Sequence, residues 1–337
     1  MNIPNPEFVE MVRGPVIESR HRAAIAVSDA SGRIVKSWGD ISRLILPRSG
    51  MKPLQTVAMV ECGAFDAFGL KDIQVALACA SHSGEFHHLE QVLAWLAAIG
   101  CDEDDLECAP HRPLAEQWLH LSPQECPPPR KAVNNCSGKH AGFITTARHL
   151  GWPIENYTSP DHPVQKLTRE VIADLTGELA DTMPLACDNC GAPVYGVSIS
   201  ALAVAAARLA CPDESNPDRA AAIRCVISAM RAHPHLVAGT ERADTVLMKD
   251  MGFQGATKCG AEGVFMAILP EQELGIALKV DDGASRAADA LLIAVLHHLG
   301  AINDATRKRV EQKINLAIHN PRGELISHIR VVESWPA

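Results

Sequence analysis

The sequence predicts an α+β fold: a mainly antiparallel sheet with packed helices, plus a helical part. Three observations carry this. Strand-like segments lie near both ends, helix-period segments fill the middle at about residues 50–250, and the regular strand–helix alternation of parallel sheets is missing. The 337 residues suit one large domain, 1–337.

Taken in order, RAAIAVS (22–28) and RIVKSW (33–38) flank the turn residues DASG and read as a β-hairpin. ISRLILPRSG (41–50) leads into a helical pattern at 51–63, with Pro53 where first-turn N–H groups have no partner. Apolar spacings of three and four predict further helices at 86–99, 138–150, 161–176, 198–210, 216–232 and 284–299. GVFMAIL (263–269) and ELGIALKV (273–280) form a second hairpin around PEQ. The proline-rich LSPQECPPPRKAV (121–133) is expected to be a loop or linker.

Composition excludes several classes. Hydrophobic residues make up 47%, enough for a core, and charged residues 21%. A net charge of −9, with no run of five Lys or Arg, argues against nucleic acid as a partner. No apolar run reaches membrane-spanning length, since 199–211 is broken by Arg208 and 287–299 by His297 and His298. Eleven cysteines, an odd number, and an opening MNIPNPEFVEMVRG with acids and a proline in place of an apolar signal stretch lead to the expectation of reduced thiols and a cytoplasmic location.

Four groups of residues bear chemistry. Ser49-Gly50-Met51-Lys52 puts a hydroxyl and an amine one helical turn apart, on one face. A lysine that sheds its charge through burial or a neighbouring cation takes a serine proton, and the serine attacks an acyl carbon. Ser81-His82-Ser83-Gly84 follows the apolar run IQVALACA; Ser83 is well placed to cap the next helix, whereas Ser81 has no evident structural job. Lys258-Cys259-Gly260 precedes a strand. In order, these three match the Ser-x-x-Lys, Ser-x-Asn, Lys-Thr-Gly set of penicillin-recognising enzymes, with Ser83 in place of Asn and Cys259 in place of Thr. Two amines near two hydroxyls allow one to stay neutral as a base while the other stays charged.

The fourth group is Cys136 and Lys139 in NNCSGKHAG, with Cys187 and Cys190 in CDNCGAP. Cys-x-x-Cys is half of a zinc site, but its usual partner is missing and lysine is an uncommon ligand, so spacing alone favours buried thiols. His87-His88, His297-His298 and the HPH at 233–235 read as helix-surface or capping groups.

RSGMKPLQ (48–55), ASHSGE (80–85), NNCSGKHAG (134–142), DNCGAP (188–193) and KCGAEGV (258–264) together make the chain resemble the rhizobial-type, class 3 L-asparaginases over roughly 8–330. The resemblance implies a serine β-lactamase/glutaminase-like fold, a homodimer and two serine–lysine pairs, Ser49 with Lys52 and Ser81 with Lys258. It implies zinc held by Cys136, Lys139 and Cys190, with Asp188 close by through water and Cys187 outside the site. Arg48, His140 and Asp188 are expected to contact substrate. The reaction it implies is hydrolysis of L-asparagine to L-aspartate and ammonia through an acyl-enzyme. The rival readings are a glutaminase or penicillin-recognising amidohydrolase, a metalloamidase, and a non-catalytic zinc-binding protein.

Overall fold

A 14-residue strand, β2 (Val16–Asp29), is the spine of the sheet. The computed structural model describes residues 4–250, 255–314, 316–332 and 335. The first half of β2 pairs with β1 (Glu7–Arg13), and its second half with β3 (Ile34–Trp38). Later in the chain come β4 (Ala256–Gly260), β5 (Val264–Leu269), β6 (Leu274–Val280), β7 (Ala317–His319) and β8 (Leu325–Val331). The order is β7-β8-β1-β2-β6-β5-β4, with β3 also on β2, and every pairing is antiparallel. Both expected hairpins form, β2–β3 and β5–β6. Asp29 closes the first by accepting from the backbone of Ser31 and Arg33. The pairing of β1 with β8 joins two segments for which the sequence predicts no strand.

The chain folds into two compact units, the first made of the described residues of 1–50, 198–211 and 246–337, the second of 51–197 and 212–245. In the first unit Ala23–Ser28 are all 0–1% exposed. Successive strand residues point to opposite faces, so both faces of the sheet are covered there. Helix Ile199–Ala210, the alanine-rich segment, lies against β6. A Cβ on Gly275 would sit 2.1 Å from the Ala207 nitrogen and 2.4 Å from the Ala203 carbonyl oxygen. The small residues serve this close approach. Among the described residues no helix is long and apolar enough to cross a membrane.

The second unit is helical. Helix Lys52–Glu61 is buried from Lys52 through Met59 and touches helices Asp72–Ala78, Ser137–His149, Pro163–Thr176 and Pro217–Ala232. Gly138 and Gly142, one turn apart, let the Ser137 helix close in: a Cβ on Gly138 would be 2.2 Å from the Leu77 oxygen, and on Gly142 2.6 Å from Met59 Sδ. The glycines of NNCSGKHAG are therefore packing residues. The proline-rich 121–133 segment is a loop inside this unit and does not link the two.

Gly275→Ala should lower stability by about 1–3 kcal/mol, because the added methyl meets helix backbone and not a side chain that can turn away. A shift of the urea midpoint at constant slope measures it; an unchanged midpoint would mean the helix stands off the strand.

Candidate functional site

Lys52 opens its helix as a fully enclosed residue, 1% exposed. Its Nζ donates to the Ala80 carbonyl oxygen, reaches Ser81 Oγ at 3.2 Å, and lies 3.4 Å from the Asn135 oxygen. Ser81 follows helix Asp72–Ala78 and is fixed by its own N–H, which donates to the Val237 oxygen at 2.9 Å. The structure therefore brings together one member of each expected pair, Lys52 and Ser81.

Ser49 lies in the 3₁₀ turn Arg48–Met51, which runs directly into the Lys52 helix. Arg48 has φ 53°, a left-handed conformation that costs a non-glycine residue ~1–2 kcal/mol. Lys258, 0% exposed on β4, directs Nζ to the Cys259 oxygen at 2.8 Å. Within the first unit the two segments are neighbours, since a Cβ on Gly260 would lie 2.3 Å from the Pro47 oxygen and 3.2 Å from the Gly50 nitrogen. Ser49 and Lys258 belong to the first unit, Lys52 and Ser81 to the second.

Ser83 does not cap the following helix, Phe86–Ala98. The capping position is Glu85, and the Ser83 hydroxyl donates to the Ala238 oxygen at 2.9 Å. The His82 ring accepts the Gly84 N–H on Nδ1, at 3.2 Å, and meets Ser137 Oγ through Nε2, at 2.9 Å. Burial, then the charge on Lys52, push His82 down to about 3, so it is neutral at physiological pH.

Cys136 precedes the Ser137 helix, Lys139 lies in its first turn, and both meet Cys190. All three are buried, at 4%, 2% and 4% exposure. Lys139 Nζ donates to Cys190 Sγ at 3.2 Å. A hydrogen bond from Cys136 is the main cause that pulls the Cys190 thiol down to about 5, burial opposes it, and Lys139 assists. The same hydrogen bond, then burial, pushes Cys136 up to about 12. Burial opposes the charge on Lys139, yet Cys190, Cys136 and Asp188 together hold its ammonium above the ordinary lysine range. Two sulfurs and an amine converging with two displaceable protons fit a soft divalent ion such as zinc. Cys187 is exposed and hydrogen-bonds only locally, to Asp188 and Gly191 oxygens. The Cys-x-x-Cys spacing thus contributes one sulfur to the cluster.

His140 is fully buried, and Nδ1 is 2.7 Å from the Tyr157 hydroxyl. That hydroxyl accepts the Glu107 N–H at 2.7 Å, so it donates to Nδ1. The His140 hydrogen is then on Nε2, which is buried with no partner among the described residues. Burial, then Lys139, lower His140 to about 3. A neutral ring with a spare N–H is suited to a carbonyl or carboxylate of a ligand.

Sequence reasoning missed one further group. His87, His88 and His235 are not independent surface or capping residues: they offer ligand atoms all within 4.8 Å of one another and can hold a metal ion. His88 is fully buried. The adjacent pair and the distant HPH were visible in the sequence; their meeting was not.

A buried amine on a serine hydroxyl, near a thiolate–ammonium cluster, is equipment for serine-dependent hydrolysis. The L-asparaginase II family profile matches residues 9–331, and the chain belongs to that family. No curated protein matches it in sequence. Among solved structures it is similar to Mglu in its native form, at 18% identity, TM-score 0.46, over 82% of this chain and 63% of that one. The chain therefore spans less than two thirds of the Mglu length. It is also similar to a Bacillus glutaminase, at 13% identity, TM-score 0.45, over 84% and 92%. A beta-lactamase from Mycobacterium bovis is similar at 16% identity, TM-score 0.39, over 83% and 95%. All three scores are below 0.5, so the assignment rests on the family match.

Metal-free protein should carry one thiolate at neutral pH that titrates near pH 5, about where Cys190 is held. Ultraviolet thiolate absorbance should show this step, and Cys190→Ser should abolish it. Cys136→Ala should move it upward by removing the main stabilising hydrogen bond. A step that survives Cys190→Ser would refute the assignment.

Proposed function

We propose that the protein is an L-asparaginase hydrolysing L-asparagine to L-aspartate and ammonia by a serine–lysine mechanism. The observation that carries the serine–lysine part of this reading, whichever serine attacks, is Lys52 Nζ at 3.2 Å from Ser81 Oγ, with the lysine enclosed by protein. The family match supports the substrate. The protein works as one amidohydrolase domain over 1–337, as a homodimer, in the cytoplasm; its eleven free cysteines support a reducing compartment.

Ser49 attacks the side-chain amide carbon, and Lys52 takes its proton. Ser81 and Lys258 relay protons and help the ammonia leave, while backbone N–H groups form the oxyanion hole. Water then attacks the acyl-enzyme, with Lys52 again as base. Arg48, Asp188 and His140 hold the amino-acid end of the substrate; the partnerless His140 N–H supports this role. Zinc held by Cys136, Lys139 and Cys190 would supply a fixed positive charge that orients the substrate.

A second reading is favoured by that same lysine–serine contact: Ser81 is the nucleophile and Lys52 its base. Ser49→Ala should reduce kcat by about 10³-fold or more, and Ser81→Ala by less. If Ser49→Ala keeps most activity and Ser81→Ala does not, the roles exchange; if both retain it, the serine mechanism fails. Ammonia release from asparagine, glutamine and a β-lactam under the same conditions separates asparaginase from the glutaminase and penicillin-recognising alternatives. Binding of asparagine without turnover would identify the non-catalytic alternative.

Stripping zinc with a strong chelator should raise KM for asparagine at least about tenfold, with a smaller change in kcat. An unchanged KM would make the ion structural. Turnover abolished with KM intact would favour zinc-activated water.

A further inference from the structure

The histidine cluster of the helical unit stands apart from the residues used above. His87 and His88 lie in the first turn of helix Phe86–Ala98, and His235 in the short helix Pro234–Val237. Glu85 immediately precedes the first helix and binds the loop after the second: Oε1 accepts the Thr240 N–H at 2.9 Å, and Oε2 the Thr240 hydroxyl at 2.7 Å.

The hydrogen positions follow from these partners. The Thr240 hydroxyl donates to Glu85, so its oxygen accepts from His235 Nε2, 2.8 Å away. His235 Nδ1 is then left with a lone pair. His88 Nδ1 accepts the Glu85 N–H at 3.2 Å, so its hydrogen is on Nε2. That nitrogen faces the His235 carbonyl oxygen at 3.0 Å and His87 Nε2 at 3.1 Å. His87 Nε2 accordingly presents a second lone pair toward the cluster.

We infer that His87, His88 and His235 form a second metal site, for a divalent transition ion of the zinc–nickel–copper group, distinct from the Cys136–Lys139–Cys190 cluster. Imidazole donors suit these ions. Nitrogens bound to one tetrahedral ion at ~2.0–2.1 Å are about 3.3 Å apart, so the 3.1 Å between His87 and His88 already fits. For His88 to ligate, its hydrogen moves to Nδ1 and the long bond from Glu85 N–H is given up. The half-exposed His87 and His235 give the ion a route from solvent. The ion clamps the Ser81–Glu85 segment to residues 234–240, which Ser81 N–H and the Ser83 hydroxyl already reach at Val237 and Ala238.

Cobalt(II) titration of the metal-free, full-length protein tests this, because thiolate ligands add a charge-transfer band that imidazole ligands lack. Wild type should take up two equivalents, one with the band and one without. His87→Ala/His235→Ala should keep only the thiolate-type equivalent, and Cys136→Ser/Cys190→Ser only the other. Zinc should raise the Tm of the cysteine variant and leave that of a variant lacking both sets unchanged. Wild type binding one equivalent, with the band, overturns the inference and leaves the cysteine site standing. One equivalent without the band does the reverse. Two equivalents retained by the histidine variant also overturn it, and His87→Gln/His235→Gln repeats the comparison if the alanine variant does not fold.

Discussion

A buried amine constrains the helical unit. An amine buried with its N–H groups unpaired costs free energy, so the chain around Lys52 has to aim oxygen atoms inward. It does so with groups that regular structure leaves spare. The Ala80 oxygen lies just past the end of helix Asp72–Ala78, where carbonyls have no intrahelical partner, and Asn135 stands just before the Ser137 helix. Two helix ends are thereby tied to one side chain. The glycine face of the Ser137 helix is what lets those ends come close enough to do it.

The same helix carries a second buried set of charges, balanced within itself. One thiolate on Cys190, one thiol on Cys136 and one ammonium on Lys139 sum to zero. Such a set is tolerated in a low-dielectric setting because no net charge is left unscreened. Loading a divalent ion there displaces two protons, so the metal-free and metal-bound clusters differ little in net charge.

Helices with strong three-and-four periodicity and both hairpins were readable from sequence, since their signals are local. Pro53 and the alternation in 263–280 each predict an element within a residue or two, and the DASG turn is found, but the strand before it, expected from residue 22, begins at Val16. The β1–β8 side of the sheet was not readable, because nothing local says that Val9 pairs with Val331. The expected site residues Cys136, Lys139 and Cys190 do meet, and spacing alone would have rejected Lys139. Lys52 was assigned to Ser49 by helical spacing; its contact with Ser81 arises from how Ala80 ends its helix. Ser83 was misread as a cap because a turn serine before a helix usually is one, and its hydroxyl instead bonds the Ala238 oxygen. The histidines failed as a prediction for the same reason as β1 and β8: residues far apart in sequence carry no sign of each other.

The strand order has a consequence for how the protein is made. β1 lies between β2 and β8, and β8 leaves the ribosome about 300 residues later, roughly 15–60 s at ~5–20 residues per second. Throughout that time β1 has one unpaired edge, with Phe8, Val9, Met11 and Val12 awaiting the cover they have in the finished fold. Newly made chains are therefore open to edge-to-edge association for most of their synthesis.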